Sequence, residues 1–202
     1  QLLNPGKICV DAQGNWYCMI GTDKGYILES YNSNFEKYGE IALPREVTMR
    51  YLINGGNGGV FVCCINKTEN GYYYEVFALD AEAGTCRNIG KTIVTRGKDP
   101  AFVMGTMGYD FYYFDDYGLY GVKGKEVESV ISWVNSDLPV GHVMNCHPLE
   151  NGTFLLNAVD PETYMGQFRI ARQRSQGELE NVQIITLSTF GMYNKLEGAV
   201  IE

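Results

Sequence analysis

Along the chain, apolar and polar residues alternate over short runs, and Gly, Asn and Asp separate the runs. Alternation with period two predicts strands with one buried face, and this punctuation predicts tight turns between them. Two Gly-based marks recur. The first is a turn that opens an aromatic or aliphatic strand: GNWYCMI at Gly14, GGVFVCCI at Gly58, GYDFYYF at Gly108 and GTFLLNA at Gly152, at spacings of 44, 50 and 44 residues. The second opens the next strand: GYILES at Gly25, GYYYEVFAL at Gly71, GLYGV at Gly118 and GQFRIAR at Gly166, at spacings of 46, 47 and 48. A weaker third mark is a polar turn before a short strand, in SNFEKYGEIAL, AEAGTCRNIG, VKGKEVESVI and SQGELENVQII. An apolar stretch precedes each first mark: KICVDA, VTMRYLI, AFVMGT and HVMNCHPL.

The unit therefore has four short strands and returns every 44 to 50 residues, the size of one β-propeller blade. A lone four-stranded sheet has two faces to cover, and face-to-face stacking of successive sheets covers both. Large residues such as Tyr73, Tyr112, Phe114 and Tyr120 suit the gap between fanned blades. The expected class is all-β, propeller-like, with about four blades of four antiparallel strands in a closed or incomplete ring. The competing reading is a β-sandwich with fortuitous spacing. Blades are expected at about 7–44, 46–96, 99–139 and 140–190, within a module of residues 1–180. Residues 181–202 are either the last strand or the start of a further, truncated domain.

Charge narrows the partners. The 202 residues carry a formal net charge of −8, so a nucleic-acid partner is not expected, because phosphate binding needs a basic face. An acidic surface also argues against anionic lipid. No run of eighteen apolar residues occurs, so no membrane-spanning helix is expected. Residues 1–15 lack the basic and apolar regions of a signal peptide, and any export signal is expected upstream of them.

The six cysteines are Cys9, Cys18, Cys63, Cys64, Cys86 and Cys146. None lies in a CxxC, and His142 and His147 are not at zinc-finger spacing. Adjacent Cys63 and Cys64 in a strand should point to opposite faces. The expected state is buried or half-buried thiols. A hairpin turn centred on Gln13–Gly14 would also put Cys9 opposite Cys18, where a cross-strand disulfide could form.

Candidate chemistry is sparse. NGGNGG at 54–59 precedes a strand rather than a helix, unlike a phosphate-binding loop. No GxSxG elbow, sialidase-type Asp box or GH…WD pattern occurs. Asp115 and Asp116 are expected at a hairpin tip, where Asp is common for turn reasons and metal binding is the sharper alternative. His142 and His147 flank the start of the fourth blade and are read as structural. Asn66 and Asn151 begin glycosylation triplets with no role assigned. No catalytic or metal-binding residue is assigned, no cofactor is expected, and the ligand-binding residues are unknown at this point.

The closing segment VQIITLSTFGMYNKLEGAVIE resembles the opening of the extracellular solute-binding protein domain of bacterial ABC importers. The resemblance implies a strand at Gln183–Thr189, a loop at about 190–193 and a helix from Asn194, with Asn194 and Glu197 at capping-box spacing. Leu196 and Val200 would share one helix face. In that family the first loop lies near the solute cleft, which would touch Thr189 and Phe190. VISWVNSDLP at 130–139 resembles a Trp-x-x-Ser-Asp segment in gut Firmicutes lipoproteins that join a propeller-like module to a solute-binding domain. The resemblance implies a non-catalytic binding or spacer module of a bacterial cell-surface, carbohydrate-uptake lipoprotein, extracellular and anchored in the full-length protein. A small-molecule or glycan ligand and the C-terminal solute-binding domain are the implied partners. The alternative is a propeller enzyme, a lyase or glycoside hydrolase acting on a glycan. If the ring is open, its bare apolar end faces favour pairing of two copies, since about 400 Å² of covered apolar area is worth on the order of 10 kcal/mol before entropic costs.

Overall fold

A computed structural model of the chain describes residues 5–43, 48–68, 71–93, 100–133, 142–149, 152–159, 166–175 and 178–186. The described residues form an all-β, propeller-like repeat of four four-stranded sheets. Sheet 1 contains β1 (Pro5–Val10), β2 (Trp16–Thr22), β3 (Gly25–Tyr31) and β4 (Lys37–Glu40). Sheet 2 contains β5 (Thr48–Asn54), β6 (Val60–Thr68), β7 (Gly71–Asp80) and β8 (Thr85–Ile93). Sheet 3 contains β9 (Ala101–Met104), β10 (Phe111–Phe114), β11 (Gly118–Lys123) and β12 (Glu126–Ser132). Sheet 4 contains β13 (His142–Pro148), β14 (Thr153–Val159), β15 (Gly166–Ser175) and β16 (Glu178–Thr186). Each sheet is a meander in which neighbours in sequence are neighbours in space. Among the described residues no helix is long and apolar enough to cross a membrane.

The recurring glycines have a backbone reason. Gly14, Gly58, Gly108 and Gly152 have φ of 83°, 80°, 86° and 72°. Each sits in the turn before the second strand of its sheet, in the left-handed region that residues with a Cβ enter reluctantly. The second-mark glycines are the first residues of β3, β7, β11 and β15.

A second regularity lies in the pairing. The register of β1 with β2 shifts between Pro5 and Lys7, that of β5 with β6 between Met49 and Tyr51, and that of β13 with β14 between Val143 and Asn145. The extra residues are Gly6, Arg50 and Met144. Each precedes its left-handed turn glycine by the same number of residues, so the bulge recurs at one place in three of the four sheets, while β9 pairs with β10 without a shift.

The β1–β2 register also corrects the expected Cys9–Cys18 pairing. Val10 faces Trp16, Cys9 faces Tyr17, and Cys18 faces Ile8. The turn is one residue longer than a loop centred on Gln13–Gly14. Asp11 sets its length: its backbone N–H donates to Asn15 O at 3.0 Å, and its Oδ1 accepts from the N–H groups of Gln13 (2.9 Å) and Asn15 (2.8 Å). A slip of one residue moves a side chain to the other face. Cys9 is accordingly buried in the core, Cys18 is half-buried, and both are free thiols.

By contact density the chain divides into two compact units, residues 1–115 with 120–128, and residues 116–119 with 129–202. The first is built around sheet 2, which is covered on both faces. Val60, Val62 and Cys64 of β6 pack with Tyr17, Met19 and Leu28 of sheet 1. Phe61 and Cys63 point the other way and pack with Phe111, Tyr113 and Val122 of sheet 3. The adjacent cysteines therefore face opposite cores, as strand alternation requires. β6 is continuously apolar from Val60 to Cys64 because both its faces are dry, each such side chain contributing about 1.5–3 kcal/mol. In the second unit Phe154, Leu156, Ala158, Phe168 and Ala171 of sheet 4 are buried. There β16 pairs with β15, Ile184 facing Arg169 and Thr186 facing Gln167. The part of VQIITLSTF up to Thr186 thus lies in the last strand of sheet 4. Residues 187–202, with the expected loop and helix, lie outside the described residues.

Hydrogen bonds between turns tie the first unit together at one end. Ala12 N–H donates to Gly58 O at 2.8 Å, and Gly56 N–H donates to Asp110 O at 2.7 Å. The approach is close. A Cβ on Gly56 would stand 2.1 Å from Gly105 O, and one on Gly105 would stand 2.1 Å from Tyr109 O. Tyr17 of β2 bridges further: its hydroxyl donates to Asp11 Oδ2 (3.1 Å) and accepts from Ala81 N–H (3.1 Å), while Ser30 Oγ donates to Ala81 O (3.1 Å). The first strands also lie side by side, with the Lys7 ammonium 4.2 Å from the centre of the Tyr51 ring and Tyr51 5.0 Å from Phe102.

Replacing Gly105 with Ala should force the turn backbone apart. The expected loss is about 3 kcal/mol of stability, read as a lower urea midpoint, whereas Ala at the open, extended Gly166 should change little.

On sheet 1, Glu29 is buried and receives Lys37 Nζ at Oε1 and the Tyr31 hydroxyl at Oε2. Burial alone would raise its carboxyl, but the Lys37 and Tyr31 hydrogen bonds outweigh that and hold it below the usual range. Its contribution to stability is then present above the ordinary carboxylate value and is lost as pH falls through the lowered folded value. Glu29→Gln should flatten the acid limb of a stability-versus-pH curve measured by urea unfolding.

Candidate functional site

The turn end of the first unit holds a cleft with a volume of ≈ 310 Å³. One wall is the β5–β6 turn, the NGGNGG segment. Gly55 N–H donates to Gly59 O at 2.7 Å, and Asn57 Oδ1 accepts Gly59 N–H at 3.0 Å, which fixes the turn internally. Asn57 Nδ2 then donates across to Asp110 Oδ1 at 2.8 Å. Asp110 is the hub: Oδ2 accepts Gly124 N–H at 2.7 Å, and its own N–H donates to Val122 O at 2.8 Å. It ties the β5–β6 turn to the β11–β12 turn and so places Lys125, the residue after Gly124.

The floor comes from a cross-strand row. Phe61 of β6 faces Ala78 of β7, which faces Arg87 of β8. Phe61 and Ala78 belong to the core shared with sheet 3, as does Ile89, on the same face of β8 as Arg87. Ala78 is the small member between two long neighbours, and the hollow is the space its side chain does not fill. All of these residues line the cleft, with Lys125. Its base is apolar and its rim carries one carboxylate, one carboxamide and two cations. Such a site suits a small ligand that presents an apolar face and a few polar groups.

Among the described residues no group of three His, Cys, Asp or Glu side chains could hold a metal ion. Asp115 is buried and Asp116 exposed in the β10–β11 turn. His147 faces Leu155 and His142 faces Val159, and the buried Nε2 of His147 has no hydrogen-bond partner among the described residues. Asn66 Nδ2 donates to Glu75 Oε2 at 3.2 Å, while Asn151, Thr189 and Phe190 lie outside the described residues. On β15, Arg169 is 4% exposed and donates from Nε and Nη2 to Gln167 Oε1. Sequence reasoning missed Arg87, Lys125 and Asp110. Only NGGNGG signalled the cleft, as a run where backbone rather than side chain must fit.

Burial moves the thiols and phenols away from neutral. It pushes Cys9 up to about 11 and Cys64 up to about 12, and raises Cys63 and Cys146 strongly. Burial, with the hydrogen bond to Glu128, pushes Tyr109 up to about 12. These shifts are opposite in sense to those that activate a thiolate nucleophile or a neutral-pH base. An aromatic thiol reagent at neutral pH should label the half-exposed Cys18 and Cys86 first, and Cys9, Cys63, Cys64 and Cys146 only on unfolding. Rapid labelling of Cys63 in the native protein would contradict this packing.

No protein-family model matches the chain, and no curated protein matches it. Among solved structures it is similar to selenomethionine-substituted virginiamycin B lyase from Staphylococcus aureus, at 12% identity and a TM-score of 0.45, covering 94% of this chain and 72% of that one. A catalytically inactive form of the same lyase with quinupristin gives 10% and 0.44, covering 93% and 71%. A protein of unknown function from Bacteroides caccae gives 11% and 0.39, covering 92% and 82%. At these values no residue role, ligand or activity passes from those proteins to this chain.

Proposed function

We propose that the chain is a non-catalytic binding module that takes a small-molecule or glycan ligand in the cleft between the β5–β6 and β11–β12 turns. The observation that carries this reading is the fixed hollow over Ala78, with an apolar base and turn-held polar groups at its rim. The part of the rim made by Asn57, Asp110 and Gly124 is held by hydrogen bonds and loses little freedom on binding, which favours recognition. In this reading the module belongs to a bacterial cell-surface solute-binding protein for carbohydrate uptake. Its C-terminal solute-binding domain is the partner, it is extracellular and anchored in the full-length protein, and two copies pair if the ring is open. The alternative, a propeller enzyme of lyase or glycoside hydrolase type, is what the same experiment would reveal.

Titration of the ¹⁵N-labelled protein with a panel of neutral and acidic monosaccharides and disaccharides should produce saturable shifts of the Gly59 and Gly124 amides without consuming the sugar. Ala78→Leu, which fills the hollow, should abolish those shifts with the fold retained. Binding that leaves these amides unmoved would sink the assignment of the cleft. Product formation lost on a single Asp or His substitution would establish the enzyme instead.

A further inference from the structure

The two cations of the cleft come from different sheets and converge on one rim. Arg87 is the outer member of the Phe61–Ala78–Arg87 row. Lys125 follows Gly124, whose N–H is held by Asp110 Oδ2. Among the described residues neither side chain has an ion-pair or hydrogen-bond partner, so both are available to a ligand. Two cations beside a single carboxylate run against the composition of a chain in which 24 acidic residues outnumber 16 basic ones. Among the described residues that line the cleft the one carboxylate is Asp110, whose oxygens accept one hydrogen bond each, from Asn57 and from Gly124. The lining residues then carry two cations against one carboxylate, one net positive charge.

We propose that the ligand of this cleft is a small organic acid, specifically a carboxylate-bearing monosaccharide of hexuronate type. The inference rests on the reading of the cleft as a binding site. Arg87 offers a planar fork that matches a carboxylate with two parallel hydrogen bonds, and Lys125 adds a point charge from the facing turn. The apolar base above Phe61 and Ala78 accepts the C–H face of a sugar ring. The volume of ≈ 310 Å³ lies at the small end for ligand sites and fits one ring rather than an extended chain. Asp110 acts as a positioning residue: it holds the turn that carries Lys125.

The test is a calorimetric titration of the whole chain with three probes: D-glucuronate, D-glucose and inorganic phosphate. Glucuronate should bind at least about tenfold more tightly than either of the others. Arg87→Gln and Lys125→Gln, both at exposed positions and checked for unchanged melting, should each weaken glucuronate about tenfold, the scale of a charged hydrogen bond. Their effect on glucose should be several-fold smaller, since glucose carries no carboxylate for either cation to meet. Affinity for glucuronate should also fall between about 20 and 200 mM salt, as screening of a rim charge requires. Equal binding of glucose and glucuronate at the Gly59 and Gly124 amides would overturn the acidic-ligand inference while leaving the binding module standing. Phosphate binding as tightly as glucuronate would overturn it in favour of a plain anion site. Binding of no probe would overturn it together with the cleft.

Discussion

The first unit depends on how closely one turn can approach the next. Sheets stacked face to face are held apart by their side chains, but at the turn end backbone meets backbone. Gly56 and Gly105 let the carbonyls of the third sheet's first turn come within a distance that any side chain would occupy. The hydrogen bonds Ala12–Gly58 and Gly56–Asp110 then form with ordinary geometry. These bonds are individually worth about 1 kcal/mol. Their larger effect is geometric, since they fix where each sheet starts relative to the one before it. The apolar faces of β6 meet their partners in a single register, and the polar rim above Ala78 is held in place without help from a ligand.

The same packing explains why so little of the chemistry is reactive. Sheet 2 is buried on both faces, so its cysteines serve as small apolar residues. Burial raises the thiols and most of the shifted phenols, and it leaves few groups that could change charge near neutrality. Polar function is displaced to the turn end, where backbone N–H groups and long exposed side chains meet water.

The repeat was legible because it is written in residue types with few alternatives. Left-handed turn positions leave Gly at Gly14, Gly58, Gly108 and Gly152, and four strands per period follow from the alternation between them. The opposite faces of Cys63 and Cys64 were legible for the same reason. The register at Cys9 was not, because Asp11 lengthens its turn by one residue through side-chain hydrogen bonds that leave no mark in the apolar pattern. The bulges were hidden too, since Gly6, Arg50 and Met144 share no residue type. The cleft was the least legible part: its floor requires an Ala between Phe61 and Arg87 on three different strands, and its rim requires Asp110 to reach two turns remote in sequence. Strand alternation reports one strand at a time and is blind to a row that crosses three.

The recurring bulge acts beyond the molecule. β1, β5 and β13 each stand at the edge of their sheet, where a flat row of free N–H and C=O groups would be a template for a strand from another chain. An extra residue at Gly6, Arg50 or Met144 breaks that row in mid-strand and coils it, so an incoming strand finds no continuous ladder to copy. A repetitive chain rich in Val, Ile, Tyr and Phe carries many segments able to build fibrils. By placing the interruption on the first strand of three of its four sheets, this one hinders growth of those sheets at that edge.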